Sequence, residues 1–194
     1  DVYREELRIA ADLIGYKEKA HPRGDTTPGP LKRGLGISLH TWGGAGHKSE
    51  CGVTINPDGS VAVNMGTQDL GSGTRTVVGI VVAETLGLPL EKVQVNIGRN
   101  EYPASGASGG STTVGGVSTS ARDAATAALN ALFEKAAPAL GAGADQLEAW
   151  QGSIQVAADA SKSMTWEKAC SLLGQIPITG KGSKPASDGT QLDN

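Results

Sequence analysis

The sequence predicts an α+β fold with an α/β-like core, in which a mixed β-sheet has its helices packed on one face. Two observations predict this architecture. The segments 61–86 and 93–137 each run from a short apolar strand through a glycine-rich loop into a helix. The segment 53–65 indicates a β-hairpin, because alternating apolar residues flank the turn Asn56-Pro57-Asp58-Gly59. A strand–helix–strand succession normally makes its strands parallel, so the sheet is expected to be mixed.

The first part of the chain is predicted to hold one helix and one strand. Residues 2–19 are predicted to be helical, and Pro22 ends the helix. The apolar residues that recur there at helical spacing are Leu7, Ala10, Ala11 and Ile14. Residues 21–31 form a connector, and Leu35–Trp42 is predicted to be a strand.

The later elements follow from the same reasoning. A helix is predicted from Thr74 to Leu86 with Gly87 at its end, then a strand from Val93 to Ile97. A long helix starting at Val117 is expected to close at Pro138. The C-terminal part is predicted to hold a hairpin over 147–156, turning near Gly152, and a helix from Thr165 to a cap at Gly174. We therefore expect three parts: an N-terminal helix and connector (1–32), a core (33–137), and a small α+β appendage with a polar tail (138–194).

Composition and charge exclude several classes of function. The net charge of −3 comes from acidic and basic residues mixed along the chain, with no basic stripe for nucleic acid. The longest apolar run, Val77–Ala83, is far shorter than the ~20 residues that a membrane span requires. Cys51 and Cys170 lack metal-type spacing and are expected to be buried thiols. His40, His47 and Cys51 are interpreted as loop residues rather than metal ligands, because no fourth ligand is identifiable.

Glycine is the compositional outlier, at 28 of 194 residues, and it gathers in the loops before the two helices. If the two preceding strands are parallel, both loops leave the same edge of the sheet. Helix N-termini carry free amides that suit phosphate, and glycine lets the backbone approach a ligand. No dinucleotide fingerprint or nucleotide P-loop is present. The spacing alone therefore leaves two readings open: a ligand with a phosphate and a polar ring, or simple tight turns.

The run Gly66-Thr67-Gln68-Asp69-Leu70-Gly71-Ser72-Gly73-Thr74-Arg75-Thr76 resembles the G-x-x-[DE]-x-G-[QS]-G-x-x-T segment of the molybdenum-cofactor-binding subunit of the xanthine dehydrogenase and aldehyde oxidoreductase family. The loop from Ser105 to Thr113 is similar to a second Gly/Ser/Thr loop of that family, again before an Ala-rich helix. The resemblance is good over 33–137 and looser elsewhere. It implies a partial chain of a molybdenum hydroxylase with a molybdopterin-binding domain.

The resemblance also implies a cofactor and the residues that bind it. Molybdopterin is the expected cofactor, with the cytosine dinucleotide form left open. The residues expected to line the pterin and its phosphate arm are Leu70, Gly71, Ser72 and Gly73. The residues expected to donate to the phosphates are Ser108, Gly109, Gly110, Ser111, Thr112 and Thr113. Ser72 stands where many relatives have Gln, so its contact is expected to need a bridging water.

Other parts of such an enzyme are not found in the chain. The family's general-base glutamate and its substrate loops have no counterpart here, and two cysteines cannot hold iron–sulfur clusters. No catalytic and no metal-ligating residue is therefore predicted, and the chain alone is expected to be inactive. The expected partners are iron–sulfur and FAD subunits or domains and a small-molecule substrate, with no nucleic acid and no membrane span. The expected location is the cytoplasm, with the periplasm left open, because both ends of the chain look cut.

Two alternatives accompany this reading. One is a noncatalytic module that binds a phosphate-bearing ligand or another subunit. The other is a small acyl- or phosphoryl-transfer enzyme that uses Ser108 or Ser111, although no histidine is near either residue in sequence. An acid/base pair of Asp69 and Glu84 is disfavoured, because Glu84 lies in a predicted helix and is expected to be a solvated carboxylate.

Overall fold

A computed structural model of the protein describes residues 2–38, 40 and 44–186. The chain divides into two compact units, residues 1–42 and residues 43–194. Among the helices of the described ranges, none is both long enough and apolar enough to cross a membrane.

The first unit begins with two helices where one was predicted. Helix α1 spans Val2–Ile14 and helix α2 spans Tyr16–Lys19. Gly15 separates them because its backbone is left-handed, at φ 63° and ψ 48°. None of the residues of α1 is buried, and of the predicted apolar stripe only Leu7 and Ala11 are half-buried. Arg8 instead forms exposed ion pairs with Glu5 and Asp12 along the helix.

The strand predicted at Leu35–Trp42 is wrong for the residues that the structure describes. Residues 35–38 and 40 have no regular secondary structure, and residues 39, 41 and 42 lie outside the described residues. Gly34 and Gly36 weaken strand formation locally, because they offer no side chain for a neighbour to pack against. The alternation of Leu35 and Ile37 was therefore not a sufficient signal.

The second unit is built on a four-stranded mixed sheet. Strand β1 (Ser49–Ile55) pairs antiparallel with β2 (Val61–Met65) through the predicted turn, and β2 pairs parallel with β3 (Val93–Ile97). A further strand, Ile178–Lys184, pairs antiparallel with the other edge of β1. The sheet order therefore puts this C-terminal strand beside β1, within the core and not in a separate appendage.

Two helices cover one face of this sheet, which confirms the predicted fold class. Helix α3 spans Thr74–Leu86 and helix α4 spans Thr113–Leu140. The buried apolar stripe of α4 includes Val117, Ala121, Ala124, Ala128, Leu132 and Ala136, as predicted. The helix starts earlier than expected, and Pro138 lies inside its last turn instead of closing it. Gly141, with φ 62°, provides the actual cap.

A small antiparallel sheet and a short helix complete the unit. Its strands are β4 (Leu147–Trp150), β5 (Ser153–Val156) and β6 (Asp159–Thr165), and the predicted turn at Gly152 joins the first two. Helix α5 (Trp166–Ser171) follows, and the C-terminal strand of the main sheet is accordingly β7. Trp166 is buried and donates its indole N–H to Gly59 O at 2.8 Å. This bond ties α5 to the β1–β2 turn.

Candidate functional site

The two glycine-rich loops leave the same edge of the sheet, as the sequence predicted. Met65 at the end of β2 is paired with Ile97 at the end of β3, and the two strands run in the same direction. The first loop (residues 66–73) leads into α3, and the second loop (residues 98–112) leads into α4. Both helices therefore start above the carboxyl end of the sheet.

Direct hydrogen bonds hold the two loops side by side. The amide of Ser108 donates to Gln68 Oε1 at 3.0 Å, and the Ser108 hydroxyl donates to Gln68 O at 3.1 Å. Nearer the sheet, the amide of Gly66 donates to Pro103 O at 2.8 Å. The predicted strand topology placed the two loops side by side, but the sequence did not indicate that Gln68 joins them.

The first loop presents an open backbone with one apolar side chain. Leu70 is 73% exposed. Gly71 and Gly73 have φ angles of 93° and 82°, and a Cβ at either position would meet no atom within 4 Å. Ser72 has its hydroxyl 3.4 Å from that of Thr74. A ligand can therefore approach the loop closely, and the left-handed backbone explains the two glycines.

At the start of α3, the carboxylate of Asp69 accepts from amides that the sequence predicted to be free for a ligand. The carboxylate of Asp69 accepts from the amides of Gly71 at 3.0 Å, Gly73 at 3.2 Å and Arg75 at 3.0 Å. The bond from the Arg75 amide is the largest cause that holds the pKa of Asp69 below its usual value. The chain's own carboxylate thus accepts from one first-turn amide of α3, that of Arg75, and from two amides of the loop before it.

No carboxylate among the described residues caps the start of α4. Thr112 is the residue before the helix, and its hydroxyl donates backwards to Gly109 O at 2.9 Å. The first-turn amides of Thr113, Val114 and Gly115 have no acceptor within the helix, by the geometry of any α-helix start. Nothing lies within 4 Å of a Cβ at Gly109. This half of the site retains the donors and the space that an anion needs.

The second loop is held in a strained backbone conformation. Gly110 and Ser111 both have φ 59°, in the left-handed region. For serine this conformation is uncommon, and it is maintained only where neighbouring contacts impose it. The contacts that shape the loop come from residues 46–50, for which the sequence predicted no site residue.

The environment of His47 differs from the one that the sequence predicted. It was interpreted as an exposed loop residue, but it is half-buried, and its ring contacts Ser105 and Ala107 of the second loop. The histidine therefore lies beside Ser105, whereas the transferase alternative named Ser108 and Ser111. The sequence signal for a close contact here was the adjacent pair Gly115 and Gly116, which contact Gly46 and His47. Gly46 packs directly on that backbone, where its Cβ would lie 2.5 Å from Gly115 C.

The remaining side chains of chemical interest are metal-ligating groups, two thiols, a carboxylate and a buried hydroxyl. Within the described ranges, no cluster of three or more His, Cys, Asp or Glu residues is arranged to hold a metal ion. Burial raises the pKa of the Cys51 thiol to about 12, and burial with nearby carboxylates raises that of Cys170 to about 12. Glu84 is exposed on α3. Thr67, at the base of the first loop, is fully buried, and its hydroxyl has no hydrogen-bond partner among the described residues.

The family model of the molybdopterin cofactor-binding domain matches residues 9–193. The chain belongs to this family. The aldehyde oxidoreductase molybdenum-binding subunit PaoC of Escherichia coli O157:H7 is 35% identical over 104 residues, which cover 54% of this chain and 14% of that subunit. The carbon monoxide dehydrogenase large chain of Afipia carboxidovorans is 30% identical, over 62% of this chain and 17% of that one. The chain thus spans less than a fifth of these relatives.

Solved structures share the fold of this chain. Quinoline 2-oxidoreductase from Pseudomonas putida 86 superposes with a TM-score of 0.67 at 20% identity, over 73% of this chain and 19% of that one. The Cu,Mo-containing CO dehydrogenase superposes with a TM-score of 0.59 at 21% identity, over 70% and 18% of the two chains. The resemblance inferred from the two glycine-rich motifs is confirmed.

Proposed function

We propose that the chain supplies the pterin- and phosphate-binding loops of a molybdenum hydroxylase that oxidises aldehydes or N-heterocycles. The observation that carries the proposal is the pair of glycine-rich loops that open at one sheet edge and are joined by the Gln68–Ser108 bonds. The relatives named above as an aldehyde oxidoreductase subunit and a carbon monoxide dehydrogenase chain support the enzyme class. The substrate would be selected by parts of the enzyme other than these loops.

The residues at the two loops suit different parts of a molybdopterin. The amides that open α4, with the hydroxyls of Ser111 and Thr113, suit the phosphate or the pyrophosphate of a dinucleotide form. Leu70 and the open glycines of the first loop suit the flat pterin ring. The amides of Gly71 and Gly73 contribute no anion contact, because Asp69 holds them.

When bound, the molybdenum centre would supply the oxidation chemistry. The chain's own residues would bind and orient the cofactor's phosphate end. We infer that the base, the substrate-binding groups and the iron–sulfur and FAD centres that accept electrons belong to other segments or subunits. The chain alone should therefore give no aldehyde or purine oxidation with artificial electron acceptors, and measurable turnover would overturn this assignment of roles.

The test is a titration of the ¹⁵N-labelled chain with pyrophosphate and with cytidine diphosphate. The amides of Thr113, Val114 and Gly115 should shift, and those of Gly71, Gly73 and Arg75 should not, because Asp69 already accepts from them. The matched variant is Gly109→Ala, since its Cβ fits without strain but fills the approach to the helix. It should keep the thermal stability and lower the affinity. Unshifted amides at Thr113, Val114 and Gly115 in the unmodified chain would refute the site.

The noncatalytic alternative has one observation in its favour. Helix α1 buries none of its residues, and Val2, Tyr3 and Leu13 are largely exposed. Such a helix suits a contact with another segment or subunit. The parent reading frame separates the alternatives, because an extension with a Gly-Glu segment after Asn194 supports the hydroxylase.

A further inference from the structure

His47 contacts the second loop at three points. Its amide donates to Thr112 O at 3.1 Å. In the side chain, Nδ1 lies 3.3 Å from Ala107 O and Nε2 lies 3.1 Å from Ser105 Oγ. The residue thus links the early part of the loop to the residue that immediately precedes α4.

The hydrogen bonds determine the orientation of the imidazole ring. A carbonyl oxygen only accepts, so Nδ1 carries the proton and donates to Ala107 O. In the neutral ring Nε2 then accepts from the Ser105 hydroxyl. The backbone on either side is also fixed, because Gly106 N donates to Lys48 O at 2.9 Å and Glu50 N donates to Ala104 O at 2.7 Å.

Two glycine backbones enclose the ring. A Cβ at Gly106 would lie 2.8 Å from His47 Cγ, and a Cβ at Gly116 would lie 2.4 Å from His47 Cδ2. These two glycines are therefore required by the histidine, whereas Gly109 faces open space. The loop and the first turn of α4 close around one side chain, so its removal leaves room into which both can shift.

We propose that His47 is a positioning residue for the anion site, which fixes the second loop against the first turn of α4. This inference rests on the proposed function, because it concerns the same first-turn amides of Thr113, Val114 and Gly115. His47 does not touch the anion. It holds Ser105 and Ala107, and through them the strained Gly110–Ser111 turn, so that the donors converge before a ligand arrives.

The experiment compares three substitutions in the full chain. His47→Ala removes both ring bonds, His47→Asn retains a donor for Ala107 O, and His47→Gln retains an acceptor for the Ser105 hydroxyl. None of them removes the backbone bond to Thr112. The control is His21→Ala, since His21 also bonds two groups by its ring, the carbonyls of Pro22 and Arg33, but lies in the other unit. The readouts are pyrophosphate affinity and amide hydrogen exchange.

We expect His47→Ala to weaken pyrophosphate binding about five- to tenfold, as the loss of preorganising hydrogen bonds does. Exchange should quicken in residues 104–112 but not in the middle of α4. The Asn and Gln variants should each restore part of the affinity, and His21→Ala should leave it unchanged. If the unmodified chain binds no pyrophosphate, the proposed function itself fails.

Other results would overturn the positioning role while leaving the proposed function intact. One is binding by the Ala variant that equals that of the unmodified chain. Another is faster exchange throughout β1 and α4 without rescue by Asn or Gln, which would make the effect one of global stability. A third is covalent labelling of Ser105 by a fluorophosphonate, which would assign the Ser105–His47 pair to nucleophilic chemistry.

Discussion

The contact between β7 and α4 leads to a prediction about two glycines. A Cβ at Gly180 would lie 2.2 Å from Ala124 O, and a Cβ at Gly182 would lie 2.1 Å from Ser120 O. Ordinary contact begins at 3.4 Å, so each alanine is more than 1 Å too close. The obstacle is helix backbone and not the end of a flexible side chain. Strand β7 must therefore move off the helix or separate from β1.

The cost of Gly180→Ala or Gly182→Ala follows from that geometry. Overpacking of a well-packed core costs about 1–3 kcal/mol, and we expect the upper end because backbone cannot rotate away. In a protein of about 150–250 residues, each kcal/mol lowers the melting temperature by about 2–4 °C. A single substitution should thus lower it by about 6–12 °C.

The assay is thermal unfolding by circular dichroism, with amide exchange to locate the change. Faster exchange should appear first in the β1–β7 pairing. Lys181→Ala is the control, because Lys181 lies between the two glycines on the same strand and is exposed. It should change the melting temperature little. A Gly180→Ala or Gly182→Ala variant as stable as the Lys181→Ala control would refute the reasoning that β7 seats directly on α4.

Three further predictions follow from other contacts. Hydrogen bonds from backbone amides lower the pKa of the Asp69 carboxyl in the folded protein. The carboxylate therefore stabilises the first loop fully above the unfolded-state pKa of about 3.9, and this stabilisation disappears as pH falls through the lower folded-state pKa. A carboxyl titration by NMR checks this, and Asp69→Asn should abolish the dependence. Trp166→Phe leaves Gly59 O without its donor and should cost about 1–3 kcal/mol in denaturant unfolding; an unchanged midpoint would contradict it. Cys51 and Cys170 have pKa values near 12, so a thiol reagent at pH 8 should react only after unfolding, and rapid native labelling would show that they are accessible.

The part of the fold that local pattern controls was predicted well. The turn from Asn56 to Gly59 specified the β1–β2 hairpin, because its residue types match a tight turn. The periodicity of Val117, Ala121 and Ala124 specified the buried side of α4. By contrast, Leu35 and Ile37 alternate like a strand but form none, since alternation does not supply a partner strand.

The sequence predicted which loops form the candidate site but not the hydrogen bonds that hold them. The motif from Gly66 to Gly73 indicated the right loop, and the parallel strands expected of a strand–helix–strand succession placed it beside the second loop. The roles of Gln68, Asp69 and His47 were not foreseen. Each depends on which amide or carbonyl group the folded backbone brings within about 3 Å of the side chain, and sequence spacing does not encode that distance.

The sequence by itself determined the β1–β2 hairpin, strand β3, the two main helices, the parallel pair and the family to which the chain belongs. These features follow from turn chemistry, hydrophobic period and motif order, all of which act over a few neighbouring residues. Only the tertiary structure decided that β7 completes the sheet, that Gln68 bonds Ser108 and that His47 contacts the second loop. Those outcomes depend on backbone groups from distant segments meeting at contact distance, and that meeting is a property of the whole packed unit.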